Sequence, residues 1–464
     1  MRLFDTMARR VEEIVPEQPG RLKIYACGPT VYRYAHVGNM RTFLLTDLIR
    51  RVAELHGQQP TVVQNITDVG HMEDDTNDLG DDKVLAQARR EGKTAWEIAA
   101  FYTEAFHRDL DLLGIRPADD YPKASEWIDR MLDLIGVLVD RGHAYAAPDG
   151  SVFFDAASFP TYGELSGNRL DQLRAGHRSE GEVHPHKRHH ADWALWKAAG
   201  ENRAMRWPSK WGDGFPGWHL ECSAMSLALL GETFDVHTGG IDLRFPHHED
   251  ERAQSEGAVG HRVVRHWVHG EHLLFEGRKM AKSTGNVVLV SDVAEAGYDP
   301  LALRLAFFGT RYRQQLNLTW DSIAGADKTL QRWRSKVAEW AESPSKPMCA
   351  EYETRFRDAV DDDLDLPTAL QVLRDVEKDV EIPNGSKFEI YAWFDRVLGL
   401  DLVRDVGRPK PVAVLPAGAR ELLDARDKAR AGKDFAESDR LRDELAALGV
   451  AVTDTPAGQT WALR

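Results

Sequence analysis

The chain has 464 residues, 42% of them hydrophobic, with a formal net charge of −15 and three Cys. That size supports several domains with real cores. Three Cys rule out a disulfide framework, and no apolar run is long enough for a signal peptide or a bilayer span, so a cytoplasmic chain with no membrane partner is expected. The acidic balance speaks against a generally nucleic-acid-binding surface, although binding responds to local fields.

In chain order, residues 22–27 and 60–66 read as buried strands, and residues 41–55 between them carry apolar side chains at helical spacing. This is a strand–helix–strand unit with a Gly-containing loop, as in a parallel doubly wound sheet that binds ligands at its carboxyl edge. From about residue 118 to 199 the pattern changes to helix, hairpin and polar loop. Buried-strand and helix signals return at 200–298. From 299 to 407 the periodicity is helical, with Pro383-Asn384-Gly385-Ser386 read as a turn or short linker, and Arg408-Pro409-Lys410-Pro411 sets off a small unit at 408–464. Domain boundaries are therefore expected at 1–117, 118–199, 200–298, 299–407 and 408–464. No internal repeat or low-complexity tract is visible.

Three constellations carry chemistry. Lys279-Met280-Ala281-Lys282-Ser283, continuing as Thr284-Gly285-Asn286, is a short polar loop whose two lysines can reach polyphosphate as mobile charges. Far upstream, His36-Val37-Gly38-Asn39 opens a helix, where backbone N–H groups attract anions. Between them lie Cys27, Cys222, His247 and Glu251. Pro246 suits a first helical turn, and His247 and Glu251, four apart, would share one helix face. Two thiolates, an imidazole and a carboxylate form a four-ligand set for zinc; the alternative is that the Cys are small buried hydrophobes and the His-His-Glu run caps a helix. The His-rich stretch at 183–190 reads as a surface loop. Trp193, Trp196 and Trp211 read as core. Arg304, Arg311, Arg313, Lys328, Arg332, Arg334 and Lys336 form a basic stretch that a nucleic acid could lie against; the alternative is a solvated helix face.

Together these residues resemble the cysteinyl-tRNA synthetase family of class I aminoacyl-tRNA synthetases over almost the whole chain. Tyr25-Ala26-Cys27-Gly28-Pro29-Thr30-Val31-Tyr32 matches the family's first zinc segment and Gly217-Trp218-His219-Leu220-Glu221-Cys222-Ser223-Ala224-Met225-Ser226 the second. His36-Val37-Gly38-Asn39 corresponds to HIGH, and Lys279 to Ser283 to KMSKS. Residues 435–445 and Asp454-Thr455-Pro456 are similar to its terminal anticodon-binding domain. The resemblance implies a Rossmann-like α/β catalytic domain with an insertion, then a helical bundle and the small terminal domain. It also implies ATP-dependent activation of L-cysteine and transfer to the 3′ adenosine of tRNA(Cys) by a monomer. One Zn2+ per chain would be held by Cys27, Cys222, His247 and Glu251, and Mg2+ would accompany ATP. His36, Lys279 and Lys282 would be catalytic. Gly38, Asn39 and Ser283 would join them at ATP, and Thr67, Trp218, His237 and Asp242 would contact substrate. Zinc would select the thiol of cysteine over the hydroxyl of serine, which a hydrophobic pocket separates weakly.

Two departures stand out. Asn39 replaces the second His of HIGH, leaving an amide that can still donate a hydrogen bond, and Ala281 replaces the Ser within KMSKS. Two rival readings are a cysteine:amino-sugar ligase of the kind used in mycothiol synthesis, which would lack the terminal domain, and a non-catalytic zinc- or tRNA-binding paralogue, which would have no need of both halves of a phosphate site.

Overall fold

The computed structural model describes residues 1–74, 79–168, 170, 185–200, 203–280, 285–408, 415–455 and 458–463. The chain divides into two compact units, Met1–Val406 and Gly407–Arg464.

A four-stranded parallel sheet organises the first unit, in the order Val264–Gly270, Phe234–Gly240, Arg21–Ala26, Gln59–Gln64. Phe234 to Gly240 is buried at every position, as expected of a strand covered on both faces, although it carries Asp235, His237 and Thr238. The expected α/β fold with a doubly wound sheet is present. Because the first strand lies between the second and the third, a crevice opens at its carboxyl end, and Cys27 is the next residue. The crossover helix, Val37–Leu55, buries Val37, Met40, Phe43, Leu44, Leu48, Ile49 and Val52 along one stripe.

At the amino terminus, Arg2–Asp5 pairs antiparallel with Arg10–Glu13. Asp5 anchors this hairpin to the sheet by accepting from Trp267 N–H at 3.0 Å, and Thr6 N–H donates to the Trp267 carbonyl at 2.8 Å. Between the halves of the parallel sheet stands an antiparallel sheet of Ala144–Ala146, Val152–Phe154, Trp193–Ala198 and Gly214–Pro216. Its last strand pairs Pro216 with Trp196 across residue 199, so a boundary at 199 would cut a hydrogen-bonded sheet. Trp193 and Trp196 are buried in it.

Helices dominate from Pro300 onward. Asp299 caps the Pro300–Phe307 helix, whose proline sits at the first turn where no N–H is needed. Trp320–Trp340, Ala350–Asp361, Leu366–Lys378 and Asn384–Leu398 follow, packed through Trp333, Phe356, Tyr391 and Phe394. The segment read as a turn or linker at Pro383 to Ser386 instead opens a helix. Pro383 is its cap, and Gly385 is required there because a Cβ would fall 2.0 Å from the Pro344 carbonyl oxygen.

The basic stretch also needs correction. Arg304 is wholly buried, donating to Asp47 at 2.8 Å and to the carbonyls of Leu398, Leu113 and Gly114. Arg334 is buried on Asp299 at 2.6 Å, and Arg311 and Arg313 are paired with Asp365 and Asp363. Arg304 and Arg334 are therefore structural, whereas Arg311 and Arg313, though paired, keep part of their side chains at the surface. Burial would raise the Asp47 carboxyl, but Arg304 and Arg51 outweigh it and hold it below its usual range. Arg304→Ala leaves Asp47 buried with one counter-ion fewer, so a loss of about 3–5 kcal/mol is expected. Thermal and denaturant unfolding of the variant checks this; an unchanged midpoint would contradict it.

The second unit packs Ala419–Ala431 and Phe435–Ala447 against a hairpin of Val450–Thr455 and Gly458–Leu463. Ala419, Leu423, Leu445 and Val450 form its small core, and buried Arg426 donates to Asp454 at 2.9 and 3.0 Å. No helix among the described residues is long and apolar enough to cross a membrane.

Candidate active site and metal centre

Two glycines let the site close. A Cβ on Gly28 would fall 1.6 Å from the Asn65 carbonyl oxygen, and one on Gly217 would fall 1.8 Å from that of Ala194. Gly28 thus joins the ends of two parallel strands, and Gly217 brings the Trp218–Leu230 helix, with Cys222 on its second turn, up to the crevice. Pro246 caps the His247–Val259 helix, so His247 projects from the first turn and Glu251 from the next on the same face.

Cys27, Cys222, His247 and Glu251 are all buried, with their ligand atoms within 4.8 Å of one another. Cys222 Sγ lies 3.6 Å from His247 Nε2, Cys27 Sγ lies 3.6 Å from Glu251 Oε1, and His247 Nε2 lies 2.9 Å from Glu251 Oε1. A second quartet of Cys27, His237, His248 and Glu251 meets the same criterion. The two share Cys27 and Glu251. Burial pushes the Cys27 thiol up to about 12 and Cys222 well above its usual value. Only a cation would bring two such buried thiols to thiolates. Two sulfurs with a nitrogen and an oxygen suit zinc and not a hard, all-oxygen ion. Burial would raise Glu251 as well, but His237 and His247 outweigh it and hold the carboxylate ionised.

Trp218 covers this cluster, stacked on His71 at 3.8 Å and on His247 at 4.1 Å between centroids. Two residues expected to contact substrate lie deeper. His237 is 1% exposed and its Nε2 is 2.9 Å from Glu251 Oε2, a carboxylate of the cluster. Thr67 is equally buried and donates its hydroxyl to Glu221, whose other oxygen has no hydrogen-bond partner among the described residues. His248, His219, His269 and Glu221 were not singled out in the sequence. The doubled His247-His248 was a signal for the first of them, and His219 and Glu221 flank Trp218 and Cys222 in the segment at 217–226; His269 is an isolated residue brought in by packing. The loop at 185–190 is pinned instead by Asp192, which accepts from His189 N–H at 2.9 Å, and joins no candidate metal group among the described residues. His184 lies outside them.

On the other side of the first helix, His36 is the cap. Its Nδ1 accepts from Asn39 N–H at 3.2 Å, while Asn39 Oδ1 accepts from His36 N–H at 3.1 Å. Asn39, expected to help hold ATP, thus spends its amide oxygen on a capping box. Burial and Arg33 push His36 down to about 4, so it is neutral at pH 7. With Nδ1 accepting, its proton sits on Nε2, which is left as a donor. Asp242 is exposed on the short turn at Ile241–Arg244, and its charge opposes the shift at His36.

The two distant motifs meet. Val37 N–H donates to the Val288 carbonyl at 2.9 Å, and a Cβ on Gly38 would come within 3.0 Å of Met280 Cε. Lys279 is exposed on a short strand, and its carbonyl accepts from Asn286 Nδ2 at 3.1 Å. Ala281, Lys282, Ser283 and Thr284 lie outside the described residues.

The model of the class I (C) tRNA synthetase catalytic domain matches residues 13–328, and that of the cysteinyl-tRNA ligase anticodon binding domain matches residues 413–461. Cysteine–tRNA ligases of Thermus thermophilus and Treponema denticola are 42% and 36% identical over 480 and 491 aligned residues, covering 99% of each chain. Among solved structures, Mycobacterium tuberculosis methionyl-tRNA synthetase with methionyl-adenylate aligns at a TM-score of 0.58 and 15% identity over 90% of this chain and 96% of the other. The Agrobacterium radiobacter LeuRS–tRNA–LeuAMS complex aligns at 0.60 and 11% identity over 84% of each. The last two are likenesses of fold.

Proposed function

We infer the working of the site from the premise that this chain belongs to the cysteinyl-tRNA synthetase family of class I aminoacyl-tRNA synthetases. It is a ligase that joins L-cysteine to tRNA(Cys) at the expense of ATP. In the first step the cysteine carboxylate attacks the α-phosphorus of ATP and pyrophosphate leaves. In the second, a ribose hydroxyl of the terminal adenosine, the 2′-hydroxyl in class I, attacks the carbonyl of the adenylate and AMP leaves.

The observation that supports this reading is a buried sulfur, nitrogen and oxygen donor set in a chain where the segment after His36 meets Met280 and Val288. Cys27, Cys222, His247 and Glu251 would hold one zinc ion. When bound, zinc supplies a Lewis acid that prefers a substrate thiolate to an alcohol. Trp218, Thr67 and His237 would line the amino acid pocket, with His237 held on Glu251 and Thr67 on Glu221. His36 donates from Nε2 to a phosphate oxygen, with Gly38 leaving room for the triphosphate. Lys279 and Lys282 would neutralise charge that builds toward pyrophosphate, Ser283 would join them at ATP, and Mg2+ would accompany the nucleotide. Asp242 lies beside His36 as a polar contact for the adenylate. Residues 1–298, with the insertion, would form the catalytic part, 299–407 a bundle against tRNA, and 408–464 the anticodon-reading unit. The enzyme would work as a cytoplasmic monomer.

Cysteine-dependent exchange of pyrophosphate into ATP, with serine as control, followed by charging of tRNA(Cys), tests the reading. Exchange without charging would favour the amino-sugar ligase, and no exchange in zinc-loaded protein would refute activation altogether. A pH prediction follows from His36. Because its pKa is pushed down to about 4, it stays neutral well below the usual imidazole range near 6.5. Single-turnover adenylate formation is therefore expected to show no acid limb from this group between about pH 5.5 and 8. An acid limb that is present in the native enzyme and lost in His36→Asn would contradict this.

A further inference from the structure

Behind the metal cluster runs a file of buried polar contacts that leaves the site and ends in the amino-terminal hairpin. Cys27 Sγ is 3.2 Å from His248 Nε2, His248 Nδ1 is 2.8 Å from His269 Nε2, and His269 Nδ1 is 2.7 Å from Thr6 Oγ1. All four side chains are buried. The placement is built into the fold at both ends. Gly239 makes room for the His248 ring, since a Cβ there would fall 2.5 Å from His248 Cε1. Thr6 is held by its own N–H on the Trp267 carbonyl, two residues before His269 on the same strand.

Each of the three contacts has room for one hydrogen, and each neutral imidazole brings one. Each ring spends both of its nitrogens within this file, and neither pairs with a carboxylate among the described residues, so each enters the count as a neutral imidazole. A thiolate at Cys27 can only accept. His248 must then donate from Nε2 and accept at Nδ1, so His269 must donate from Nε2 and accept at Nδ1. The last hydrogen has one source, the Thr6 hydroxyl. A carbonyl or carboxylate at that end would force the opposite polarity and set a lone pair of His248 against the sulfur.

We propose that Thr6 is a positioning residue of the metal site: its hydroxyl, through His269 and His248, fixes the tautomers that turn an N–H donor onto the Cys27 thiolate. The proposal rests on the zinc reading above. It gives the amino-terminal hairpin a role in holding the metal, although the hairpin supplies no ligand. Partners beyond the ligands that orient them commonly matter about 10- to 100-fold in metal affinity; with two rings intervening, the lower end is expected.

The test uses the full-length protein and zinc alone. Competition against a graded chelator is expected to show apparent zinc affinity about tenfold weaker in Thr6→Val, which keeps the shape and loses the hydroxyl, and near native in Thr6→Ser. Native affinity in Thr6→Val, or equal loss in both variants, would overturn the proposal, the second because it would point to packing. A measurement on the unmutated protein removes dependence on the variants' folding. Long-range ¹H–¹⁵N correlations of the zinc-loaded enzyme should place the hydrogen of both His248 and His269 on Nε2, and an Nδ1–H form of either would also overturn it. Failure of native protein to bind zinc at all would instead refute the metal reading itself.

Discussion

Cys222→Ser is expected to lower both bound zinc and the kcat/KM of cysteine-dependent pyrophosphate exchange by more than about 100-fold, beyond what loss of an outer partner costs. The exchange removes one sulfur from a set of four donors and puts in its place a hydroxyl that stays protonated at neutral pH. Its neighbours cannot make up the loss. His247 and Glu251 already face each other at 2.9 Å, and Cys27 alone would be left as sulfur donor among oxygens and nitrogens. The variant should remain folded, because Ser is close to Cys in volume and Cys222 lies on a helix whose other core residues are unchanged. Metal analysis and exchange kinetics on the same preparation decide the matter. Native zinc content with native kcat/KM would remove Cys222 from the ligand set.

Lys282→Ala, and separately Lys279→Ala, should slow adenylate formation by about 10²- to 10³-fold, roughly 2.7–4 kcal/mol, with the affinity for cysteine little changed. The reason is the timing of charge. Negative charge moves onto the departing pyrophosphate in the transition state, so a lysine aimed there stabilises the transition state more than the bound ground state. Lys279 is exposed on its strand, and the chain around it is tied to the helix that His36 caps. Single-turnover measurements of adenylate formation, alongside equilibrium cysteine binding, separate the two effects. Equal activation rates in variant and native enzyme would sink the assignment, whereas a loss confined to cysteine binding would move the lysines to the amino acid.

Much of this was open to reading from local pattern. The first strand and helix follow from apolar spacing and were placed within a few residues; the observed helix begins at Val37, earlier than residue 41, because His36 and Asn39 cap it. His247 and Glu251 share a face by helical geometry alone. The basic stretch misled because charge in a sequence carries no direction. Arg304 looks the same on paper whether it meets tRNA or, as here, Asp47 inside the protein. Pro383-Asn384-Gly385-Ser386 misled because turn residues also open helices when a neighbouring segment, here Pro344, packs against them.

What the sequence determined by itself is therefore the chemistry: which donors, cations and glycines exist, and at what spacing along each element. The tertiary structure decided which of them meet. Thr6 and His269 stand 263 positions apart and touch only because the hairpin docks on one particular register of the edge strand. His237, on the third strand of the sheet, meets Glu251 of a helix that follows it, a contact that no local pattern shows. Such contacts depend on sheet register and helix packing, which are properties of the whole core and not of any window of residues.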